Sequence, residues 1–466
     1  MSVQPTGVQL MSIVTAAAPR TRRNTELLLL IFAIAIVLLC YTNVGLAIDG
    51  TVPADLVTLG VGFAALTLVF HLVLRWRAPY ADPVLLPIVT LLNGLGVVMI
   101  HRIDLAKGLS IGEGAALRQL MWSALSIVCA ALLVIFLRDH RRLQRYKYTF
   151  ALAGLILLLL PLLPVIGRNV NGARIWIGLG GFTFQPGELA KICLVIFFAA
   201  YLVQTRDALS LVGRRVLGFP LPRARDLGPI IVAWLASLVV LVFESDLGTS
   251  LMLFGVFVAM LYVATERVSW IAIGMVLFGA GCYVAYLLFA HFRVRVDLWL
   301  DPFTPGMSDQ LAKGLMGMAA GGLFGTGLGQ GHPEITYFAN SDFIMASFGE
   351  ELGLVGVAAL LTCYVIIVER ALRAGVASRD SFGKLLATGF AAIVGFQCFT
   401  VLGGVMRVIP LTGLTTPFLS AGGSSLLANW LIIALLLRIS DGARRPDIAA
   451  RPIALGDEPT QAVPAR

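Results

Sequence analysis

The sequence predicts an all-α, polytopic integral membrane protein with about twelve transmembrane helices. Only 13% of its 466 residues are charged, 58% are hydrophobic and the mean hydropathy is +0.89. A soluble chain of this length would carry about 25% charged residues. Apolar runs of about twenty residues, the length that a helix needs to cross a bilayer, recur along the chain. These runs are continuous rather than alternating, which excludes a transmembrane β-barrel.

The positions of the basic residues predict how the spans are oriented. Lys and Arg are concentrated in the connecting segments that share a side with both termini, which places the N and C termini in the cytoplasm. The net charge of +9 therefore reflects membrane topology, and no nucleic-acid partner is expected. The predicted spans are 25–47, 54–74, 82–101, 119–137, 149–167, 187–204, 228–243, 247–264, 269–290, 342–368, 385–405 and 421–437.

Polar residues collect in three outer segments, 168–187, 291–341 and 406–420. The middle segment, between spans nine and ten, is too long for a simple connector and is a candidate functional loop. The six cysteines all lie in apolar stretches without CxxC spacing, so they are predicted to be unpaired core residues. No residue cluster has the spacing of a metal site.

The first outer segment contains "NGARIWIGLGGFTFQPGELAKI", residues 171–192. Pro186 is suited to the first turn of a helix, and Glu188 complements the positive end of that helix. Lys191 lies three residues further on and can pair with Glu188 on one face. Such charges at the head of a membrane helix must pair or face a cavity, so both a structural ion pair and a binding role are open. Trp176 is expected at headgroup level.

Three further stretches interrupt the membrane pattern. "DLWLDPFTPGMSDQLAKG" (297–314) holds three aspartates, and "GGLFGTGLGQG" (321–331) predicts a tight loop close to another backbone or a ligand. In "ANSDFIMASFGEELG" (339–353), Glu350 and Glu351 need basic partners on neighbouring helices. "RVIPLTGLTTPFLSAGGSS" (407–425) is irregular backbone, which is tolerated at membrane depth only where it lines a cavity.

Taken together and in this order, these segments resemble the SEDS family, the peptidoglycan glycosyltransferases of the RodA, FtsW and SpoVE type. The similarity covers roughly residues 147–440, and the start "TRRNTELLLL" is most like actinobacterial RodA members. The resemblance implies polymerisation of lipid II on the outer membrane face for cell elongation and shape, with a class B penicillin-binding transpeptidase as partner. The implied domains are a disordered tail (1–24), additional spans (25–101), a glycosyltransferase core (102–440, with the catalytic loop at 291–341) and a second disordered tail (441–466).

The resemblance also implies site residues. The family's base is an aspartate of the long outer loop, where Asp301 matches a first acidic position and the second acidic position has no match. The loop is two residues shorter than usual, and Asp301 and Asp309 flank the gap as candidate catalytic residues. Mg²⁺ or Mn²⁺ could assist the pyrophosphate chemistry. The candidate substrate-binding residues are Arg174, Trp176, Gln185, Glu188, Lys191, Arg293, Arg295, Lys313, Asp342, Glu350, Arg407, Ser420 and Ser424.

Other departures from the family pattern keep alternatives open. Gly178 replaces a usual Arg, Gly187 a usual Ser or Ala, Asn340-Ser341 a usual His-Thr, and Ala421 a usual Tyr. Loss of polar groups on the outer face would fit a non-catalytic scaffold or regulator of cell-wall synthesis or division. A flippase for the lipid-linked precursor is a third interpretation, although no paired broken helices in two related halves are evident.

Overall fold

The structure, a computed structural model, confirms a polytopic helical membrane protein. Within the described part of the chain, ten helices are long and apolar enough to cross a membrane. The span predicted at 149–167 corresponds to a shorter apolar helix, Lys147–Leu162, and the one at 228–243 lies outside the described residues, as do most of both tails. The predicted count of twelve therefore stays a prediction. The described residues are 21–53, 56–109, 113–164, 166–170, 173–179, 182–210, 215–216, 219–220, 235, 247–303 and 309–446.

The helices are numbered here in chain order over those residues. They are α1 Arg23–Ile48, α2 Leu56–Arg77, α3 Leu85–Ala106, α4 Ala115–Phe136, α5 Arg142–Arg145, α6 Lys147–Leu159, α7 Pro186–Ser210, α8 Leu247–Thr265, α9 Ser269–Leu288, α10 Ala290–Leu300, α11 Gln310–Gly321, α12 Ile344–Ala377, α13 Ser381–Val405 and α14 Gly423–Arg444. Short 3₁₀ turns lie at Leu160–Leu162 and Pro333–Ile335.

The centre of the bundle is formed by α3, α7, α13 and α14, which are largely buried, whereas α1, α2 and α9 lie at the periphery with apolar side chains exposed. Small residues let backbones approach closely within this core. A Cβ atom on Gly96 of α3 would lie 2.5 Å from the carbonyl oxygen of Leu419, so α3 packs directly on the irregular segment before α14.

A small antiparallel sheet was not predicted. Strands β1 Gly167–Val170, β2 Ala173–Leu179 and β3 Phe182–Phe184 pair in the order β1-β2-β3 between α6 and α7. The sequence interpretation of this stretch as a partly amphipathic segment overlooked the aliphatic residues at every second position, Ile175, Ile177 and Leu179, a spacing typical of a strand. A second pair, β4 Arg215–Val216 and β5 Phe219–Pro220, is minimal.

The loops divide between two ends of the bundle. The outer face, named from the charge distribution, holds the β1–β3 sheet, α10, α11, the loop 322–343 and the segment 406–422. The inner face holds the connections at 78–84, 137–146 and 378–380 and the end of α14. Ion pairs join these inner elements. Arg444 Nη2 at the end of α14, for example, lies 2.5 Å from Asp82 Oδ2 in the connection 78–84.

Helix α12 is broken near its outer end, where Gly353 has φ 67° and ψ −171°. The break frees backbone donors for the glycine-rich loop. Leu354 N donates to Gly322 O at 3.0 Å and Val355 N donates to Leu323 O at 3.1 Å. The loop is therefore joined to the membrane helix by backbone hydrogen bonds. These bonds satisfy backbone groups that would have no partner in lipid.

Candidate active site on the outer face

Helix α7 begins as predicted, with Pro186 in the first turn. The residue before it, Gln185, donates its backbone N–H to Ser424 Oγ at 2.9 Å. Two of the predicted site residues, Gln185 and Ser424, are thus neighbours at the point where α7 and α14 both start. Their contact fixes the relative height of these two helices at the outer face.

The predicted pairing of Glu188 with Lys191 is confirmed. Lys191 Nζ lies 2.7 Å from Glu188 Oε2, and both side chains are buried. The ammonium also donates to Gln397 Oε1 at 3.3 Å, and the amide group of Gln397 donates to Thr415 O at 2.8 Å. A polar chain therefore runs from α7 through α13 to the irregular segment before α14. This arrangement compensates the two buried charges and also links them to the outer site.

Side chains from two further helices, α4 and α12, hold the segment 406–422 in place. Gln119 binds it twice, donating to Ser420 O at 3.0 Å and accepting from Gly422 N at 3.2 Å. The buried Tyr364 donates its hydroxyl to a backbone carbonyl of the same segment. Irregular backbone at this depth is thereby satisfied by protein. Residues 409–412 of the segment also line a cavity, as the sequence pattern predicted.

Ser420, a predicted site residue, connects this segment to the residues before α12. Its hydroxyl accepts from Thr416 N at 2.8 Å and donates to Ser341 O at 2.7 Å. Next to it, Ala421 N donates to Asn340 O at 2.8 Å. Residues 340–342 are consequently held in one position relative to α14, which is the kind of support that a preorganised site requires.

Asp342 stands at the end of that fixed stretch, half-buried and just outside α12. Burial raises its pKa to about 6, although the nearby Arg295 guanidinium and a hydrogen bond from Ser341 act in the opposite direction. Arg295, from α10, is itself fixed by a hydrogen bond from Nη1 to Thr412 O at 3.0 Å. A carboxylate with a pKa near 6 next to a positioned guanidinium is suited to proton transfer near neutral pH.

Arg407 is exposed, and its guanidinium is hydrogen-bonded to the chain. Its guanidinium donates to Trp299 O at 2.7 Å and to Leu300 O, and the Trp299 indole N–H donates back to Arg407 O at 3.0 Å. These bonds satisfy carbonyl groups at the C-terminal end of α10, where a cation is favourable. Arg407 therefore fixes the helix that carries Arg295.

The two aspartates proposed from the resemblance differ in their surroundings. Asp301 follows α10 and is exposed, and its Oδ1 accepts from Phe303 N at 3.2 Å. Asp309 precedes α11, and its Oδ2 lies 2.6 Å from Lys313 Nζ. The hydrogen bond from Lys313 lowers the pKa of the Asp309 carboxyl below its usual range. Lys313 in turn lies over the Tyr337 ring, with 4.9 Å from Nζ to the ring centroid.

Glu350 and Glu351 anchor the glycine-rich loop from below. Glu350 Oε1 accepts from His332 N at 2.6 Å, and Glu351 Oε2 accepts from Gly329 N at 3.0 Å. Both carboxylates are buried. Glu350, a predicted substrate-binding residue, thus lies beneath the loop, where it binds loop backbone.

The expected basic partner is present for Glu351 and is Arg102 of α3, which is 2% exposed. Its Nε donates to Glu351 Oε1, its Nη1 lies 2.7 Å from Glu334 Oε2, and its Nη2 donates to Gly331 O. One guanidinium therefore joins α3, α12 and both the glycine-rich loop and the turn that follows it. The fork geometry of Arg makes three such contacts at once possible.

We expect Gly325→Ala to destabilise the protein more than Gly327→Ala, although both residues have positive φ (+86° and +104°). A Cβ atom on Gly325 would lie 2.2 Å from the Glu351 carbonyl oxygen, whereas one on Gly327 meets only Gln330 carbons at 3.5 Å or more. Gly327→Ala then costs about 1–2 kcal/mol of backbone strain, and Gly325→Ala about 3 kcal/mol. Thermal unfolding in detergent compares the two, and equal shifts would contradict the close packing of this loop on α12.

The remaining predicted residues lie at the rim. Arg174 is exposed and Trp176 half-buried on β2, and Arg293 is exposed on α10. Gly178 replaces a usual family arginine, and the space its Cβ atom would fill is occupied by Arg168 of the adjacent strand, whose Nε lies 2.1 Å from that position. The sheet therefore still presents a guanidinium here, supplied by β1 instead of β2.

Two connected cavities lead from the site towards the lipid. The first, of about 390 Å³, has Arg295, Trp299 and Thr412 at its outer end. The second, of about 470 Å³, lies between α8 and α9 and is almost entirely apolar. The cavities share lining residues, Leu251, Phe278, Cys282 and Phe292. A ligand with a charged head and a long apolar tail fits such a path.

No group of three or more His, Cys, Asp or Glu side chains able to hold a metal ion is found among the described residues. A role for Mg²⁺ or Mn²⁺ stays a prediction. The six cysteines are free thiols, as predicted.

The fold and the site define a polytopic α-helical membrane protein whose outer face combines a fixed carboxylate, several guanidiniums and an apolar path into the bilayer. The model of the FtsW, RodA and SpoVE family of cell cycle proteins matches residues 83–445, and the chain belongs to that family.

Individual proteins of the family are similar over most of their length. The chain is 52% identical over 432 residues to the peptidoglycan glycosyltransferase RodA of Mycobacterium tuberculosis, covering 91% of this chain and 92% of that relative. The crystal structure of the rod shape determining protein RodA of Thermus thermophilus matches with a TM-score of 0.55 at 27% identity, covering 78% and 98% of the two chains. A chain from a peptidoglycan synthase complex that coordinates polymerization and crosslinking matches with a TM-score of 0.55 at 28% identity, covering 83% and 97%.

Sequence reasoning missed four residues that build the site: Arg102, Gln119, Gln397 and Arg168. The first three are buried polar side chains in or next to apolar helices, and such residues are expensive in a membrane unless they serve a purpose. The presence of these three polar residues in or next to apolar segments was the sequence signal that could have identified them as site residues. Arg168 carried no such signal, because its place over Gly178 depends on the register of a sheet that was not predicted.

Proposed function

We propose that this protein polymerises lipid II into peptidoglycan glycan strands on the outer face of the bacterial cytoplasmic membrane, for cell elongation and shape. The observation that carries the proposal is the 52% identity, over 91% of the chain, to a peptidoglycan glycosyltransferase RodA. The outer site supports it, because Arg295 stands where the apolar path from the bilayer ends. The polyprenyl tail would occupy that path, and the pyrophosphate would lie at its outer end.

The proposed reaction is a single displacement with inversion. The 4-hydroxyl of the acceptor GlcNAc forms a bond to C1 of the donor sugar, while the bond from C1 to the pyrophosphate oxygen breaks. A carboxylate accepts the hydroxyl proton, and the departing undecaprenyl pyrophosphate carries the negative charge away. Arg295, held by Thr412 O, is placed to stabilise that charge, since a guanidinium binds two phosphate oxygens at once.

Three aspartates are candidates for the base. Asp309 is already paired with Lys313, which lowers its pKa and makes it a weak base. Asp301 is exposed at the end of α10. Its support as the base is that it matches the first acidic position of the family pattern. Asp342 combines a fixed backbone, a neighbouring guanidinium and a pKa raised to about 6 by burial. We therefore place the base at Asp342, with Asp301 as the second candidate.

A class B penicillin-binding transpeptidase is the proposed partner. The support is the match to a chain of a synthase complex in which polymerization and crosslinking are coordinated. In such an assembly the new glycan strand would be cross-linked as it leaves the outer face.

Purified protein, alone and with its partner transpeptidase, should convert labelled lipid II into glycan chains that resolve as a ladder on a gel. Product that forms only when this protein is present would support the proposal. The shortened loop, which lacks the second acidic residue, favours a non-catalytic scaffold or regulator as the second candidate function. A scaffold would leave lipid II unchanged in every condition while still binding the transpeptidase.

A further inference from the structure

A polar cavity of about 230 Å³ lies on the inner face, far along the chain from the outer site and without a role in the proposed reaction. It forms where the connection after α4, the connection before α13 and the end of α14 meet. Its lining is dominated by basic side chains, namely Arg138, His140, Arg141, Arg379, Arg438 and Arg445.

The acidic side chains at this cavity are already engaged. Asp441 accepts from Tyr80 N at 2.9 Å and pairs with Arg445 at 3.0 Å. Asp139 accepts from Arg141 N at 2.9 Å. Asp380, beside the cavity lining, lies 3.1 Å from Arg141 Nε. Five guanidiniums therefore face three carboxylates, and the remaining positive charge favours an anion.

The floor and the rim of the cavity differ in exposure. Arg438 at the floor is 3% exposed, and its Nε has no hydrogen-bond partner, although Nη1 donates to Arg77 O at 2.6 Å. Arg138 and Arg379 at the rim are exposed. A buried guanidinium with an unused donor below exposed guanidiniums is an arrangement that can bind phosphate oxygens.

The level of the cavity within the membrane indicates whether its phosphate comes from a lipid or from a soluble molecule. Transmembrane helices α4 and α14 end beside it and α13 begins beside it, which is the level of lipid headgroups rather than of the bulk cytoplasm. On the last turns of α4, Leu132 and Phe136 are 45% and 76% exposed and offer an apolar surface for acyl chains. Basic pockets at the cytoplasmic ends of membrane helices are typical sites for anionic headgroups.

We propose that this cavity binds the phosphate headgroup of an anionic phospholipid from the inner leaflet. The lipid would join the connections after α4 and before α13 to the C-terminal end of α14, all of which line this cavity. The site is independent of glycan synthesis and would exist equally in an active enzyme and in a scaffold.

The test uses the full-length protein in detergent, titrated with phosphatidylglycerol or with phosphatidylcholine of the same acyl chains and followed by native mass spectrometry. We expect wild type to retain phosphatidylglycerol in preference to phosphatidylcholine. The Arg138→Gln/Arg379→Gln variant should bind phosphatidylglycerol about 30-fold more weakly, since two basic contacts to an anionic headgroup are removed.

Arg142→Gln/Arg145→Gln is the matched control, because it removes the same charge from the neighbouring α5 without touching the cavity lining. This control should bind within about threefold of wild type, since the charges it removes are exposed, lie outside the cavity lining and are screened by salt. An equal loss in both double variants, or no loss in the cavity variant, overturns the proposal. Displacement of the lipid by equimolar inorganic phosphate overturns the assignment to a lipid and points to a soluble phosphate ligand.

Discussion

Replacing Arg102 by methionine should strongly destabilise this protein. The guanidinium is 2% exposed and contacts Glu351, Glu334 and a loop carbonyl, so its removal leaves two carboxylates without their cation. Breaking a buried ion pair by deleting one partner typically costs about 3–5 kcal/mol. We expect a large fall in the thermal unfolding midpoint in detergent, or failure to accumulate in the membrane.

Matched variants separate the ion network from general effects of charge. Arg118→Met removes an exposed arginine from the adjacent helix α4 and should change stability by less than about 0.5 kcal/mol. Arg102→Met/Glu351→Gln removes both buried charges and should recover part of the loss, because the uncompensated carboxylate is the main penalty. If Arg102→Met unfolds at the same temperature as Arg118→Met, the network does not hold the loop.

The same network shows why part of the site could not be predicted. Glu188 and Lys191 are three residues apart on one helix, so their pairing followed from local spacing. Glu351 and its partner Arg102 are separated by 249 residues, and no local pattern encodes which helices become neighbours. The need for a basic partner was predictable from the cost of buried charge, but the identity of that partner required the fold.

The backbone structure around the site was also predictable only in part. Proline and glycine in 406–422 marked irregular structure lining a cavity, and the structure shows that stretch bound by Gln119, Gln397 and Tyr364. The β1–β3 sheet was not predicted, although aliphatic residues recur at every second position of β2. The apolar composition of the flanking sequence is typical of membrane helices and outweighed this short signal. Helix α12 also runs on to Ala377, beyond the predicted end at 368, since length beyond the bilayer has no apolar signal.

Replacing Asp342 by asparagine should lower the rate of lipid II polymerisation by about 10²–10⁴-fold, the usual contribution of a general base. Asparagine keeps the shape of the side chain and cannot accept the proton of the acceptor hydroxyl. The hydrogen bonds that fix residues 340 and 341 are accepted by their backbone carbonyl groups and are unaffected, so the variant should fold normally. Glycan ladders from labelled lipid II measure the rate, and thermal unfolding checks the fold.

Asp309→Asn and Asp301→Asn are the comparisons that test the assignment. Asp309 is exposed and its charge is paired with Lys313, so its replacement should change the rate by less than about threefold, as for an exposed ion pair. Asp301→Asn distinguishes the two remaining candidates. A loss of about 10²-fold or more with Asp301→Asn, together with near-normal activity of Asp342→Asn, would place the base in the outer loop as the family resemblance implies.

The pH dependence of the reaction adds a signature that a purely structural role of Asp342 would not produce. The base must be deprotonated to act, and the pKa of Asp342 is raised to about 6. Activity should therefore be constant above that value and fall tenfold per pH unit well below it. The residual activity of Asp342→Asn should lack this acidic limb. A limb that persists unchanged in Asp342→Asn would assign the titration to another group and remove the main reason for preferring Asp342 over Asp301.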